Sequence, residues 1–459
     1  MSGSNANPEP ELYQESLRPR FHFTARYWQD YRLNPRQHQE GWINDVNGLT
    51  YLDGEYHLFA QRWWSCWLHA VSTDLVHWKE LSPAFGKDET FGGTQSGGAV
   101  IDHDNTSGLA TGKTPVMVAF WSALDNNRQC ISYSNDKGRT WTKYEKNPVL
   151  VHSCRDPRVF RYQDKWIMLL FGPEEEGVRH YTLFESRNLL QWEKLHSFPG
   201  FYECPDMFEL SVEGSNETKW VVVNGDGRYS LGTFDGREFK PETELLIADY
   251  GRNFYATMTW GEGLPGVPRR RIQIAWMAYW DKVTTLDMPF NQQLSFPCDL
   301  SLRRTKDGVR LFREPIPELA KLYKTEHAFK GRDVPEGDAD FFTGMHSEVF
   351  DAQVVFDLAH SKSRSFTLSV RGHYIAVNCE ERRLNVLGCA YALPEGPDKL
   401  QLRILSDKLS IEVFVNGGQA SFTNVALPVD AVAPLRLRVV GGSLRVVAAS
   451  AHEIESMWV

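Results

Sequence analysis

Ser72-Thr-Asp74-Leu75-Val-His-Trp78 returns along the chain as Ser134-Asn-Asp136-Lys-Gly138-Arg-Thr-Trp141 and Ser186-Arg-Asn188-Leu189-Leu-Gln-Trp192, its tryptophans 63 and then 51 residues apart. Each copy is a serine, a short polar turn and a tryptophan. A degenerate fourth copy is Thr233-Phe-Asp235-Gly236-Arg-Glu-Phe239. One such segment alone is an ordinary hairpin, but three with the same order of residues form a repeat. Two strands precede each copy and one follows, which is what a four-stranded propeller blade needs, with the turn on its outer edge.

Around these copies, helical periodicity is scarce. Short apolar or alternating runs bounded by Gly, Asn, Asp and Pro recur instead, at Leu49–Gln61, Pro115–Trp121, Lys165–Phe171, Lys219–Val223 and Arg271–Ala278, so the chain reads as all-β. The pattern changes after Leu302. Pro315-Ile-Pro317-Glu318-Leu319 is a Pro-bounded connector with a short helical turn. Beyond Glu326 the alternation is cleaner, at Phe366–Val370, Leu400–Leu405, Ile411–Val415 and Leu435–Val440, with Asn416-Gly417 and Gly441-Gly442 placed as hairpin turns. Period 2 buries one face of each strand and wets the other, as in a two-sheet sandwich. The expected organisation is an N-terminal extension (1–17), a propeller (18–314), a connector (315–325) and a sandwich (326–459).

A length of 459 residues suits two or three such domains. Lys plus Arg number 50 against 59 Asp plus Glu, a net charge of -9 with no basic stripe, so a nucleic-acid partner is not indicated. No run approaches the 18 or so apolar residues of a membrane span. The seven cysteines are scattered, without a C-x-x-C pair, and indicate neither a disulfide framework nor a zinc site. Met1 to Pro10 is polar, which places the protein in the cytoplasm if Met1 is the natural start, or outside the cell if a signal peptide has been removed. Aromatic residues make up 13%, compatible with sugar binding because flat rings pack on sugar faces.

Gly108-Leu-Ala-Thr-Gly112-Lys113-Thr114 has one residue too few between its glycines for a phosphate loop, and no H-E-x-x-H, G-x-S-x-G or G-x-G-x-x-G stands in a suitable setting. Three acidic residues do stand among apolar or aromatic neighbours: Asp45 in Gly41-Trp42-Ile43-Asn44-Asp45-Val46-Asn47-Gly48, Asp156 in Cys154-Arg155-Asp156-Pro157, and Glu203 in Phe201-Tyr202-Glu203-Cys204-Pro205-Asp206. Any one alone suits a solvated turn. Together they suit a propeller, whose innermost strands all reach one axis and bring residues distant in sequence into one funnel. Clustered carboxylates there fit glycoside hydrolysis with retention, in which a nucleophile and an acid/base lie roughly 5 to 5.5 Å apart.

These segments resemble glycoside hydrolase family 32, the invertases, inulinases and levanases. Trp42 to Gly48 is similar to the family's W-M-N-D-P-N-G box, Arg155-Asp156-Pro157 to its R-D-P box and Glu203-Cys204-Pro205 to its E-C-P box, in the family's order. The resemblance continues through Trp67 to Ser72, Ser96 to Val100, Asp249 to Ala256 and Ala275 to Met277, and more weakly through Ile411 to Gly417. It implies a five-bladed β-propeller with an axial site, followed by a C-terminal β-sandwich. Asp45 would then be the nucleophile, Glu203 the general acid/base and Asp156 a stabiliser of the transition state. Asn44, Gln61, Trp67, Ser96 and Arg155 would contact the sugar, Trp276 would wall the funnel, and Asp206 would bind sugar or reinforce Glu203. The substrate would be a small or polymeric fructoside, and no metal or other cofactor is implied.

The chain departs from the family pattern near the substrate. Val46 replaces Pro, Leu68 replaces Gly, and Gln95 stands where an aromatic precedes Ser96, while Trp63 and Trp64 occupy a short loop able to reshape the outer subsites. The preferred function is a retaining β-fructosidase acting on terminal fructosyl units of sucrose, levan or inulin. The alternatives are a fructosyltransferase using the same intermediate and a non-catalytic fructan-binding protein.

Overall fold

The computed structural model describes residues 13–26, 41–125, 127–172, 177–265, 270–279, 288–342, 344–395, 398–427, 429 and 434–458. Among the described residues the elements are strands, apart from a 3-10 helix at Pro317–Leu322 in the connector. Between Val46 and Pro315 the described strands make five sheets. The first runs Val46–Leu52, Glu55–Arg62, Cys66–Ser72, Lys79–Leu81, each strand antiparallel to the next. The others open on Ala99–Asp102, Arg155–Tyr162, Asp206–Ser211 and Tyr255–Trp260 and repeat this order, two of them with an additional short strand.

Opening strands of adjacent sheets touch, the third and fourth through the Arg158–Asp206 ion pair, and that of the first sheet meets that of the fifth. The sheets therefore form the ring of a β-propeller. Apolar clusters fill the spaces between them: Phe59, Trp67 and Trp121 between first and second, Phe120 and Met168 between second and third, Leu169 and Val222 between third and fourth, Phe208 and Leu302 between fourth and fifth. The ring closes on Leu58, Trp260 and Ile274.

The Ser-turn-Trp repeat lies between the third and fourth strands, so three strands rather than two precede it. Its local chemistry explains the recurrence. Ser72 Oγ accepts the amides of Asp74 and Leu75 at 3.1 and 2.8 Å, while Trp78 Nε1 donates to the carbonyl of Leu75 at 2.9 Å. Trp141 and Trp192 donate in the same way to Gly138 and Leu189. Leu75, Gly138 and Leu189 all have positive φ, so the indole fixes the residue that reverses the chain. In the fourth copy Asp235 Oδ1 accepts the amides of Arg237 and Glu238 instead.

Beyond the connector, two six-stranded sheets enclose a second core, with Val354, Leu402 and Val413 from one and Leu368, Ile375 and Leu437 from the other. Asn416-Gly417 is a hairpin turn, as its sequence predicts. Gly441-Gly442 is not: Leu435–Val440 and Leu444–Ile454 belong to opposite sheets, so the glycines carry the chain across the sandwich. Two apolar strands meeting at a glycine pair look alike in sequence whether they pair or face each other.

The sandwich is fused to the propeller. Arg313 Nη1 donates to Asp249 Oδ2 and Ser421 Oγ at 2.8 and 2.6 Å. Residues 18–26, expected to belong to the propeller, lie at this joint: the amides of Arg20, Phe21 and His22 all donate to the Asp407 carboxylate.

Candidate active site

The opening strands aim their ends at the axis, and bulges direct the side chains. Register shifts interrupt three of them, between Asn47 and Thr50, Arg155 and Arg158, and Tyr255 and Met258, each within two residues of one that lines the axial cavity. A bulge re-aims a side chain that regular alternation would turn elsewhere. Asp156, Glu203 and Cys204 also have positive φ, an uncommon conformation that clusters at functional sites.

The cavity they form has a volume of about 280 Å³. Asp45, Asp156 and Glu203 line it with Asn44, Gln61, Ser96, Arg155 and Trp276. Asp45 is held on both oxygens, by Asn44 Nδ2 at 3.2 Å and Ser96 Oγ at 2.5 Å. Gln61 joins these two supports, accepting from Asn44 Nδ2 at 2.7 Å and donating to Ser96 Oγ at 2.8 Å. Trp42 Nε1 and the Trp63 amide donate to Asn44 Oδ1, which directs its amide nitrogen to Asp45. Asp156 Oδ2 accepts the Cys204 amide at 3.1 Å and lies 3.6 Å from Arg155 Nε. Glu203 accepts from Arg155 Nη2 on one oxygen and from the Tyr255 hydroxyl on the other.

Burial pushes the Asp45 carboxyl above its ordinary range; the hydrogen bonds from Ser96 and Asn44 oppose the shift and the Glu203 charge adds to it. Burial also lifts Asp156 to about 7, with Arg155 opposing and Asp45 adding. For Tyr255, burial and then the negative groups beside it push the phenol far up, so it remains a hydrogen-bond donor. Burial and the adjacent carboxylates likewise keep Cys204 as a thiol. The site thus holds two carboxyls that differ in support. Asp45 accepts hydrogen bonds from neutral donors, whereas Glu203 sits between a cation and a phenol.

Two expected sugar contacts do not line the cavity. Trp67 is fully buried between the first and second sheets, its Nε1 donating to the carbonyl of Gln95. It lies on the third strand of its sheet, whereas its cross-strand neighbour Gln61 is on the second, one strand nearer the axis. Asp206 is buried behind the cavity, with its oxygens taken by Arg158 Nε, the Met207 amide and Thr259 Oγ1. It ties three sheets together around the axis. Trp63, Trp64 and Gln95 do reach the cavity, with Trp64 49% exposed. Tyr255 is the residue that sequence reasoning missed. It stands in the Asp249 to Ala256 segment, where nothing local couples it to a glutamate 52 residues away.

The description of the glycosyl hydrolases family 32 N-terminal domain matches residues 36–315, and that of the family 32 C-terminal region matches 318–453. The chain belongs to glycoside hydrolase family 32. A levanase of Bacillus subtilis (strain 168) is 33% identical over 98% of this chain and 72% of its own length. An extracellular exo-inulinase of Aspergillus niger is 29% identical, over 95% of this chain and 96% of its own. The crystal structure of an exo-inulinase from Aspergillus awamori shares the fold, with a TM-score of 0.83 at 24% identity over 97% of this chain and 100% of that one. As a family 32 member, the protein is an enzyme, a glycoside hydrolase.

Proposed function

We propose that this enzyme removes terminal fructosyl units from sucrose or from fructans such as levan and inulin, by double displacement with retention. The observation that carries this reading is the unequal support of two carboxyls in one cavity. Asp45, held by Asn44 and Ser96, is the nucleophile that attacks the anomeric carbon. Glu203 is the acid that protonates the departing oxygen and the base that then activates water, while Arg155 and Tyr255 fix its orientation. Asp156 receives hydroxyls of the fructosyl ring, while Asn44, its amide taken up by Trp42, Trp63, Asp45 and Gln61, positions the nucleophile. A cavity of about 280 Å³ suits one enclosed ring, which must then be a chain end. The names of the levanase and exo-inulinase relatives support a fructan substrate. The Aspergillus relative is named as extracellular, and we adopt that location for this chain.

The test is the anomer released first, followed by NMR on sucrose and on levan. Retention is expected, and initial inversion would overturn double displacement. Glu203→Ala should keep more activity on an activated aryl fructoside, which needs no acid to leave, than on sucrose. Equal loss on both would remove the acid role. Product analysis at high sucrose separates hydrolysis, expected here, from transfer to a second sugar.

A further inference from the structure

On the sandwich, the strand His373–Asn378 turns Ile375 and Val377 into the core and therefore Tyr374 and Ala376 outward. Its neighbour Arg383–Val386 sets Asn385 opposite Ala376, on the same outer face. The next residues, Leu387 and Gly388, have φ of 49° and 90° and form a tight hairpin turn. Arg252, from the propeller, extends over this turn. A Cβ on Gly388 would lie 2.3 Å from Arg252 Nη2, so the glycine lets the guanidinium rest against the turn, and a larger residue would displace it. Arg252, Tyr374, Asn385, Leu387, Gly388 and Asn424 line a cavity of about 440 Å³.

Its chemistry is specific. Tyr374 is 62% exposed and has no aromatic partner among the described residues. The Arg252 guanidinium likewise makes no hydrogen bond or ion pair among them. No acidic side chain lines the cavity. An uncovered aromatic face beside planar donors and acceptors is the combination that holds a neutral sugar, with the ring stacked and its hydroxyls bonded.

The position is also specific. Arg252 is three residues before Tyr255, whose hydroxyl holds Glu203, so their Cα atoms are at most about 11 Å apart. Asn253 fixes this segment by donating to the Ala278 carbonyl at 2.7 Å and accepting the Val425 amide at 2.9 Å. We propose that this cavity is a second saccharide site, which holds the trailing part of a fructan chain while its end occupies the axial cavity. The proposal rests on the fructan reading above and extends it to polymer recognition.

Tyr374→Ala and Arg252→Ala, alone and together, are compared with the parent enzyme on sucrose, inulin and levan. The expected result is a roughly three- to tenfold fall in kcat/KM on polymer relative to that on sucrose, with the melting temperature unchanged. An unchanged ratio, or an equal fall on sucrose and polymer, overturns the proposal. Binding is read separately by native electrophoresis through gels containing levan or inulin, in an Asp45→Asn background that leaves the polymer intact. Retardation that weakens with Tyr374→Ala supports the site, and retardation absent or unaffected by it overturns the site. A parent enzyme that cleaves none of the three substrates defeats the functional reading instead, and the gel experiment still reads the cavity.

Discussion

Burial raises the Asp45 pKa and disfavours its carboxylate, and the two hydrogen bonds to its oxygens oppose that shift. Ser96→Ala removes the shorter of them. Its expected effect is an acid limb of kcat/KM displaced to higher pH, with a fall of about tenfold below neutrality, because a hydrogen bond to a charged group is worth roughly 1.5–3 kcal/mol. A pH profile identical to the parent's would show that Ser96 does not tune Asp45. Asp156 gives a different test. Its ordinary value is 3.8 and burial raises it to about 7, so the folded state favours the proton and stability declines as pH rises through that interval. Asp156→Asn should therefore raise the melting temperature more at pH 8 than at pH 4, while removing most activity. The three carboxylates were legible in the sequence because each is embedded in a short box. Trp67 and Asp206 stand equally close to such boxes, but their direction is set by strand order and by partners in other sheets, neither of which is local. The same holds for Arg155 and Tyr255, which meet on Glu203 from positions 48 and 52 residues away.

At the level of strands and turns, the repeat could be read because its bonds span only a few residues. Ser72 Oγ satisfies the amide of Leu75 within a buried turn on the outer edge of the first sheet. Ser72→Ala leaves that amide without its acceptor, at a loss of about 1–2 kcal/mol. Thermal unfolding should show the loss while kcat/KM stays at the parent value, since the turn faces away from the axis. A change in kcat/KM as large as the change in stability would contradict the separation of scaffold from site. The bulges at the axial ends of the opening strands could not be read. A bulge is one residue out of register with a partner strand, and its signature exists only once pairing is known. Gly441-Gly442 failed for the same reason: the turn is visible, but the sheet that receives the following strand is not.

For the whole molecule, the question is what joins propeller to sandwich. His22 is fully buried, 2.8 Å from Asp407 Oδ2 through Nδ1 and 2.7 Å from Glu412 Oε2 through Nε2. Around it Phe21 and Phe296 pack against one another, and the surrounding core also takes in Leu405 and Phe414 of the sandwich with Ile272 and Ile274 of the fifth sheet. The two units therefore share one apolar core, and this ionic group lies beside it. Burial alone would lower the His22 pKa, but its hydrogen bonds to two carboxylates outweigh that and raise it to about 9 from an ordinary 6.5. Asp407 is shifted down, burial being overcome by His22 and by the amides of residues 20 and 21. A histidine whose folded value is raised contributes its full stabilisation below 6.5 and loses it as pH climbs through about 9. His22→Gln keeps a side chain of similar size and loses the charge, leaving two buried carboxylates without a cation, a change that typically costs 3–5 kcal/mol. The melting temperature of the variant should thus lie well below the parent's at pH 6, and the gap should narrow toward pH 10, where His22 of the parent is neutral as well. A gap that stays constant from pH 6 to pH 10 would mean that His22 acts through packing alone and that its charge has no part in holding the sandwich to the propeller.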